Sequence, residues 1–434
     1  MGRFSHKLGA ALLGLSCMGA ADPAVAQGIG DSLVVPNLPL DYDRGRNVGV
    51  LDRARPEYDA AGVRMGGFVL RPKVELGAIS SDNIYQTPTR HGDVALRMAP
   101  SAVLASNWNR NSLDVEAGAD LRRYISATHR NVSGWHLGTN GRYDISGDSA
   151  ISASFSAQQA AEPATSAAYP SAAAEASVYQ MLRASLSPSF TAGRVKFQGN
   201  YGFTALGFGT VRTLAGGMLD QRFRNSQTHS GTLRAEYAIT PDTSVFVQGG
   251  YDDVTYLHPL TPIIANRDSR TVTVLGGASF DVSARVRGAI GLGYTQRRYA
   301  APIYPEVSGL AAEAKLDWFP DALTTVGLTG RRIVQDSVVP TLGGLVNNSV
   351  ALRVDHEFLR NLLVDVQGAY EYDAFQNSSA SIDIMRLSAG ARWIVSRSLG
   401  FGVSLQRDSR TPHGITGVTQ FTETRGILTM VLQK

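Results

Sequence analysis

From position 67 onwards, apolar and polar side chains alternate along this sequence with a period of two. Between Leu362 and Asp373, for example, the even-numbered positions are apolar, aromatic or glycine, whereas Asp365 and Glu371 occupy odd-numbered positions. Successive side chains of a β-strand point to opposite faces, so each such segment has one apolar and one charged face. The sequence therefore predicts an all-β chain built from two-faced strands.

About 18 such segments follow one another, each of roughly 10 to 15 residues. Soluble strands have about five or six residues, whereas a strand that crosses a bilayer needs about 9 to 11. Short turns, such as Pro241-Asp242-Thr243, alternate with longer polar stretches, such as 159–175 and 207–225. We therefore expect a transmembrane antiparallel β-barrel of about 18 strands, with short turns in the periplasm and long loops outside. The segments begin near Phe68, Asp93, Leu113, Gly134, Ala150, Ser177, Arg194, Thr228, Ser244, Arg270, Arg285, Gly309, Leu323, Ser349, Leu362, Ile382, Leu399 and Thr424.

Closure of the sheet follows from the chemistry of the bilayer. Hydrocarbon offers no partner to backbone N–H and C=O groups, so a sheet can cross it only as a closed barrel, with its apolar faces towards lipid. Aromatic residues recur near the segment ends on the apolar side and are expected to form girdles at the membrane interfaces, although each alone would also fit a protein core. The predicted girdle residues are Trp108, Trp135, Tyr143, Tyr251, Tyr294, Trp318, Phe358, Tyr370, Tyr372 and Trp393.

Composition excludes several other classes of protein. One cysteine among 434 residues excludes an intrachain disulfide framework and any multi-cysteine metal site. The formal net charge is only +4 and the basic residues are dispersed, so no nucleic-acid partner is expected. The sequence also lacks the run of about 18 apolar residues that predicts a transmembrane helix.

The chain divides into three predicted parts. Residues 1–26 have a basic start, an apolar run and a small-residue cleavage site, which together predict a signal peptide. Cys17 leaves open the alternative of a lipid-modified lipoprotein signal. Residues 27–66 are polar, contain proline and glycine and have no sustained period, so they are predicted to form an extended periplasmic segment. Residues 67–434 are assigned to the barrel, and the protein to the outer membrane.

No residue pattern predicts catalysis, a metal site or a cofactor, and we expect a protein that is not an enzyme. The eight histidines do not form a His-x-x-x-His or His-Glu-x-x-His pair, and no Gly-x-Ser-x-Gly elbow is present. Asp82 and Asn83 carry oxygen ligands, but two such residues do not make a six-ligand calcium site. They are interpreted as turn formers.

The charged faces of the strands are the most informative surface. Barrels of about 16 to 18 strands leave an aqueous channel. These side chains either line a passage for a hydrophilic polymer or solute, or only pair across strands; for the whole set a water-filled passage is favoured, because so many charges need solvent or partners. The candidate pore-lining residues are Arg97, Glu116, Arg122, Arg142, Arg234, Glu236, Arg287, Glu313, Lys315, Arg331, Arg353, Asp365, Glu371, Asp373, Arg386 and Arg392.

The region around the first strand carries a family resemblance. Its motifs are Arg55-Pro56-Glu57-Tyr58-Asp59, Gly62-Val63-Arg64, Gly66-Gly67-Phe68-Val69-Leu70-Arg71-Pro72 and Ser81-Asp82-Asn83-Ile84-Tyr85. Together they resemble the start of the barrel in a family of outer-membrane β-barrel porins of Gram-negative bacteria. Members of that family are often associated with export of exopolysaccharide or holdfast-type polymers, so the resemblance implies a conduit for such a polymer.

Three functions remain open at this point. The first is a conduit for exopolysaccharide export, in which residues 27–66 dock to periplasmic export proteins or plug the export apparatus. The second is a general porin for small hydrophilic solutes, and the third is a structural or adhesive barrel without transport. The expected partners are outer-membrane lipid, a polysaccharide or small hydrophilic solute, and periplasmic export proteins.

Overall fold

A computed structural model describes residues 47–434, except 167, 171, 172, 260, 262, 283, 284 and 338–343. The predicted signal peptide and residues 27–46 lie outside the described residues. The strands are β1 Val63–Met65, β2 Phe68–Ser81, β3 Asp93–Ser106, β4 Ser112–Tyr124, β5 Val132–Asp144, β6 Ser149–Ala161, β7 Val178–Ala192, β8 Val195–Phe208, β9 Thr210–Arg212, β10 Met218–Asp220, β11 Ser226–Thr240, β12 Thr243–Tyr256, β13 Ser269–Val282, β14 Val286–Tyr299, β15 Val307–Asp321, β16 Thr324–Gln335, β17 Leu345–Leu359, β18 Leu362–Phe375, β19 Ser381–Ile394, β20 Leu399–His413 and β21 Phe421–Gln433.

Eighteen of these strands are long and close into an antiparallel barrel. Each pairs with the next long strand along the chain, and β8 pairs directly with β11 because β9 and β10 form a separate hairpin in the link between them. The ring closes where β21 pairs with β2, from Lys73 opposite Gln433 to Ser81 opposite Arg425. Closure leaves no long strand with an unpaired edge. The predicted fold class is confirmed.

The strand positions also agree with the alternation in the sequence. Every long strand begins within four residues of its predicted start; the largest difference is at β17, predicted from Ser349 and observed from Leu345. No helix of the described residues is long and apolar enough to span a membrane.

Short and long links lie at opposite ends of the barrel. Eight links of two to five residues join the strands at one end, which we call the turn end, and nine links of five to seventeen residues join them at the other, the loop end. Gly193, in the link between β7 and β8, has a φ of +58°, a left-handed conformation that favours glycine. The longest links are 162–177 and 209–225.

The ladder register gives each long strand an inward and an outward face. Directly opposite residues of an antiparallel ladder share a face, so the pairing carries one face from strand to strand around the barrel. The outward face is apolar and exposed: all ten predicted girdle residues have between 37% and 66% of their surface exposed, which excludes a place in a protein core. Trp318, Phe358 and Trp393 lie near the turn end, whereas Tyr251, Tyr294 and Tyr370 lie nearer the loop end.

Two neighbouring positions on β19 test this assignment of faces. Leu387 points outward near the middle of the strand and Ser388 points inward. We expect Leu387→Arg to destabilise the barrel by roughly 2 to 4 kcal/mol, because the charge would lie in hydrocarbon. The control Ser388→Arg is expected to cost less than about 1 kcal/mol, because its side chain enters the lumen. Urea unfolding in lipid vesicles measures both, and equal losses would contradict the assignment.

Candidate functional site: the lumen and its two ends

All sixteen candidate pore-lining residues lie on the inward face of the barrel. The ladders connect them directly in several places: Arg97 is opposite Arg122, Arg287 is opposite Asp317, and Glu313 is opposite Arg331. The structure thus brings together residues that are far apart in sequence on one continuous inner wall.

Many inward charges form ion pairs across neighbouring strands. Arg97 bridges Glu75 on β2 (Nη1 to Oε2, 2.9 Å) and Asp120 on β4 (Nε to Oδ2, 3.1 Å), and Asp120 also accepts from Arg122 at 3.1 Å. Lys73 lies 2.9 Å from the second carboxylate oxygen of Glu75. Such networks offset the cost of removing charges from bulk water. They also fix the positions of side chains that would otherwise fill the lumen.

A second network lies on β17 to β19. Arg386 donates to Glu371 at 3.0 Å, and the amide of Asn347 donates to both Glu371 (2.8 Å) and Asp373 (2.7 Å). Arg353 pairs with Asp355 at 2.8 Å. Part of the charged set therefore pairs across strands.

Two inward arginines have nitrogen atoms that are not paired in this way. Arg183 and Arg331 face the lumen, and the Nε atom of Arg183 and the Nε and Nη2 atoms of Arg331 have no hydrogen-bond partner among the described residues. N–H donors without a protein partner in the barrel interior need water. These side chains favour an inner wall that is wet where they lie.

The inner wall of β6, β7 and β8 differs from the rest because, from the turn end to beyond its middle, it is built of small hydroxyl and amide side chains. Nearer the loop end, Tyr179, Met181, Leu206 and Phe208 form a buried cluster on β7 and β8. Among the described inward positions of the three strands there is no acidic residue, and the cations are Arg183 and Lys196. We call this surface the hydroxyl wall; its polar residues are Ser152, Ser154, Ser156, Gln158, Ser185, Ser187, Ser189, Thr191, Gln198, Asn200 and Thr204. A cavity of about 360 Å³ opens at its turn end, between the hydroxyl wall and the side chains of Arg142 and Arg234.

The hydroxyl wall is not among the sequence predictions, because those candidates are all charged residues. The signal was present in the alternating serines at 152, 154 and 156 and at 185, 187 and 189. On the opposite side of β11, by contrast, the inner face is partly apolar. Phe246, Leu275 and Ala311 form a buried cluster there, with the Arg234 guanidinium 3.8 Å from the centre of the Phe246 ring.

At the turn end, residues 47–62 lie inside the mouth of the barrel. Val50 is fully buried and packs against the inward side chains of Leu363 and Ile394. Its backbone N–H donates to the Thr325 hydroxyl at 3.0 Å, and the Asn47 carbonyl accepts from Arg287 at 2.9 Å. These residues belong to the part that the sequence predicts as an extended periplasmic segment. They do not form a strand of the barrel, and their position depends on contacts with distant residues of the wall, so no local period predicts it.

Arg55 anchors this N-terminal segment. Its side chain is only 1% exposed and donates to Glu357 on β17 at 2.8 Å, to the Val50 carbonyl at 2.8 Å and to the Arg360 carbonyl at 3.2 Å. Arg53 donates to the same Glu357 oxygen at 3.0 Å. The contacts of the segment lie on β14 and on β16 to β19, so it covers one side of the mouth. The cavity beside the hydroxyl wall lies on the other side.

At the loop end, described residues of the link 162–177 extend from β6 and β7 across to β20. Inward-facing Arg410 on β20 donates to the Ala164 carbonyl at 3.0 Å and to the Ser166 carbonyl at 2.7 Å. Glu162 is held by Arg224 of the neighbouring link at 2.6 Å. This link therefore folds over the loop-end mouth instead of extending into solvent.

No catalytic or metal-binding arrangement appears among the described residues. No group of three or more His, Cys, Asp or Glu side chains could hold a metal ion there. The Thr324 hydroxyl lies 3.0 Å from His356 Nδ1, but the nearby carboxylate of Asp321 contacts the threonine and not the histidine. That geometry lacks the orienting acid of a hydrolytic triad.

The closed barrel, its apolar outward face and its charged inner wall define a porin-like channel of the bacterial outer membrane. The chain belongs to the family described as "Putative beta-barrel porin 2", whose model matches residues 55–434. The predicted family and the predicted outer-membrane location are confirmed. The family and the fold are those of channels.

Several solved structures match this chain at low sequence identity. The outer membrane protein OpdK from Pseudomonas aeruginosa is 11% identical, with 84% of this chain and 99% of that chain covered and a TM-score of 0.44. OccAB3 from Acinetobacter baumannii is also 11% identical, with 85% and 100% covered and a TM-score of 0.44. A mutant of the ferric enterobactin receptor PfeA from Pseudomonas aeruginosa is 6% identical, with 87% and 81% covered and the same TM-score. No curated protein matches this chain.

The anchoring role of Arg55 leads to a prediction about the N-terminal segment. Removing one partner of a buried ion pair costs about 3 to 5 kcal/mol, so Arg55→Met should release residues 47–62 from the mouth. Amide hydrogen exchange in this segment should become at least about 100-fold faster, while the strands stay protected. The control is Arg64→Met, because Arg64 is exposed. Equal exchange in the two variants would show that Arg55 is not the anchor.

Proposed function

We propose that this channel passes small hydrophilic solutes by diffusion along the hydroxyl wall. The observation that supports this function is the position of the two folded segments. Residues 47–62 occupy the β14 to β19 side of the turn-end mouth, and the link 162–177 reaches across the loop-end mouth to Arg410. The cavity of about 360 Å³ remains beside the hydroxyl wall.

The hydroxyl wall can form hydrogen bonds with such solutes. Hydroxyl and amide side chains can replace the hydrogen bonds of a sugar or other polar solute with water, at little cost in either direction. Because many weak sites lie in a row, a solute can enter without being held. The ion pairs on the remaining walls keep their side chains on the wall and out of this route.

Export of an exopolysaccharide is the second candidate, and it rests on the association suggested by the family resemblance. A polymer would have to pass both mouths as a continuous chain, so the N-terminal segment and the link 162–177 would both have to move. A small solute can pass beside them. For this reason we favour the small-solute function.

Solute passage can be tested with two neighbouring positions on β7. Ser187 points into the cavity beside Asn200, whereas Leu186 points outward. Proteoliposomes that contain the protein should swell in solutions of mono- and disaccharides. We expect Ser187→Trp to slow swelling, more for a disaccharide than for a monosaccharide, because the indole narrows the route. Leu186→Trp adds the same ring on the lipid side and should leave swelling unchanged.

Two results would overturn the small-solute function. The first is that the wild-type protein supports no swelling with either sugar. The second is that deletion of the gene abolishes a surface polysaccharide without changing uptake of small solutes, which would support polymer export.

A further inference from the structure

The arginines on the outward face of the barrel are confined to one end. At the outward positions of the described long strands, Asp, Glu, Lys and Arg occur eight times; seven lie in the half of their strand next to the loop end, and the eighth, Asp321, lies at the turn end of β15. Five of them are arginines, which we call the rim arginines. They are Arg123, Arg270, Arg298, Arg332 and Arg407; the two acids in the same half are Asp253 and Asp383.

The position of the rim matches a membrane interface. Arg332 is paired with Asn348, which is paired in turn with the exposed girdle residue Tyr372. Arg298 lies four residues beyond Tyr294 on the same strand, towards the loops. Tyrosines of such girdles sit at the level of the lipid headgroups, so Arg298 and Arg332 lie at or just outside that level. Arg407 lies nearer the middle of its strand, opposite Leu387. Long cationic side chains reach the headgroup region from such positions.

Two rim arginines stand directly opposite each other. Arg270 on β13 is paired with Arg298 on β14, and both side chains are about 70% exposed, at 72% and 69%. Like charges placed directly opposite each other destabilise a sheet unless an anion compensates them. One carboxylate flanks each arginine: Asp253 lies 3.3 Å from Arg270, and Glu306 lies 2.8 Å from Arg298. These acids lie at the two outer sides of the pair.

The acid beside Arg298 is an anion at neutral pH. Hydrogen bonds from Gln296 and Arg298 hold the pKa of Glu306 below its usual range. An arginine has five N–H donors, however, and one carboxylate does not use them all. The donors between Arg270 and Arg298 can therefore still bind a further anion, and arginine matches the geometry of phosphate well.

We propose that Arg270 and Arg298 bind a phosphate group of the phosphorylated glycolipid, lipopolysaccharide, in the outer leaflet. We identify the lipid from the end of the barrel at which the rim arginines lie. Long loops of bacterial barrels face outside, so the adjoining headgroups are those of the outer leaflet. The opposite half of the outward face has no arginine at a strand position, which is unlike a surface that binds anionic lipid on both leaflets. This proposal is independent of the solute that passes the lumen.

The test is a titration with defined lipids. Protein in phosphatidylcholine bicelles is titrated with bis-phosphorylated lipid A, and the rise in unfolding temperature gives an apparent affinity. Arg270→Gln with Arg298→Gln should weaken this affinity about tenfold or more, because charge-assisted hydrogen bonds to phosphate are lost. The matched control is Arg194→Gln with Arg285→Gln, which removes two exposed arginines from the turn end and should change nothing.

A second variant keeps the proposal testable if the first does not fold. Asp253→Asn with Glu306→Gln removes the flanking acids, and we expect tighter binding of lipid A. Dephosphorylated lipid A and phosphatidylglycerol serve as comparison lipids and should give a much smaller rise in unfolding temperature. An equal rise with dephosphorylated lipid A would mean that only the acyl chains bind. An equal rise with phosphatidylglycerol, or unchanged affinity in both arginine and acid variants, would overturn the proposal.

Discussion

The pairing of β21 with β2 is the interaction on which the rest of this structure depends. In hydrocarbon, each unpaired backbone N–H or C=O group costs several kcal/mol, and an open edge strand would have a whole row of them. The ladder from Lys73 opposite Gln433 to Ser81 opposite Arg425 removes that edge. Once the sheet is closed, the period of two assigns every side chain to lipid or to the lumen. The apolar outward face and the charged inner wall are both consequences of this closure.

Closure creates a second problem, because it gathers charged side chains from 18 strands in one interior. Two features of the inner wall reduce the cost of burying these charges. Networks such as Glu75, Arg97 and Asp120 pair charges along the wall, whereas the hydroxyl wall on β6 to β8 has few charges. The folded segments at the two mouths use the charged side of the interior, as in the contact between Arg55 and Glu357. The route that remains for a solute therefore follows the side that needs the least charge compensation.

Much of the fold could be predicted from the sequence, because a period of two is a local property. Strand starts were predicted within four residues, and the projected faces of Arg386 and Trp393 agree with the ladder. The segments at the two mouths could not be predicted. Arg55 and Glu357 are 302 residues apart, and Arg410 is 244 residues from Ser166, so no local pattern links them. The hydroxyl wall was missed for a different reason: small polar residues alternate more weakly than charged ones.

The central claim is that β18 separates lipid from water with a period of two, and cysteine scanning of residues 364–369 tests it most directly. Each single-cysteine variant is reconstituted and treated with a small water-soluble thiosulfonate. The account predicts rapid reaction at 365, 367 and 369, which face the lumen, and little reaction at 364, 366 and 368, which face lipid. Reaction without alternation would contradict the barrel. Protection at all six positions would contradict a water-filled lumen.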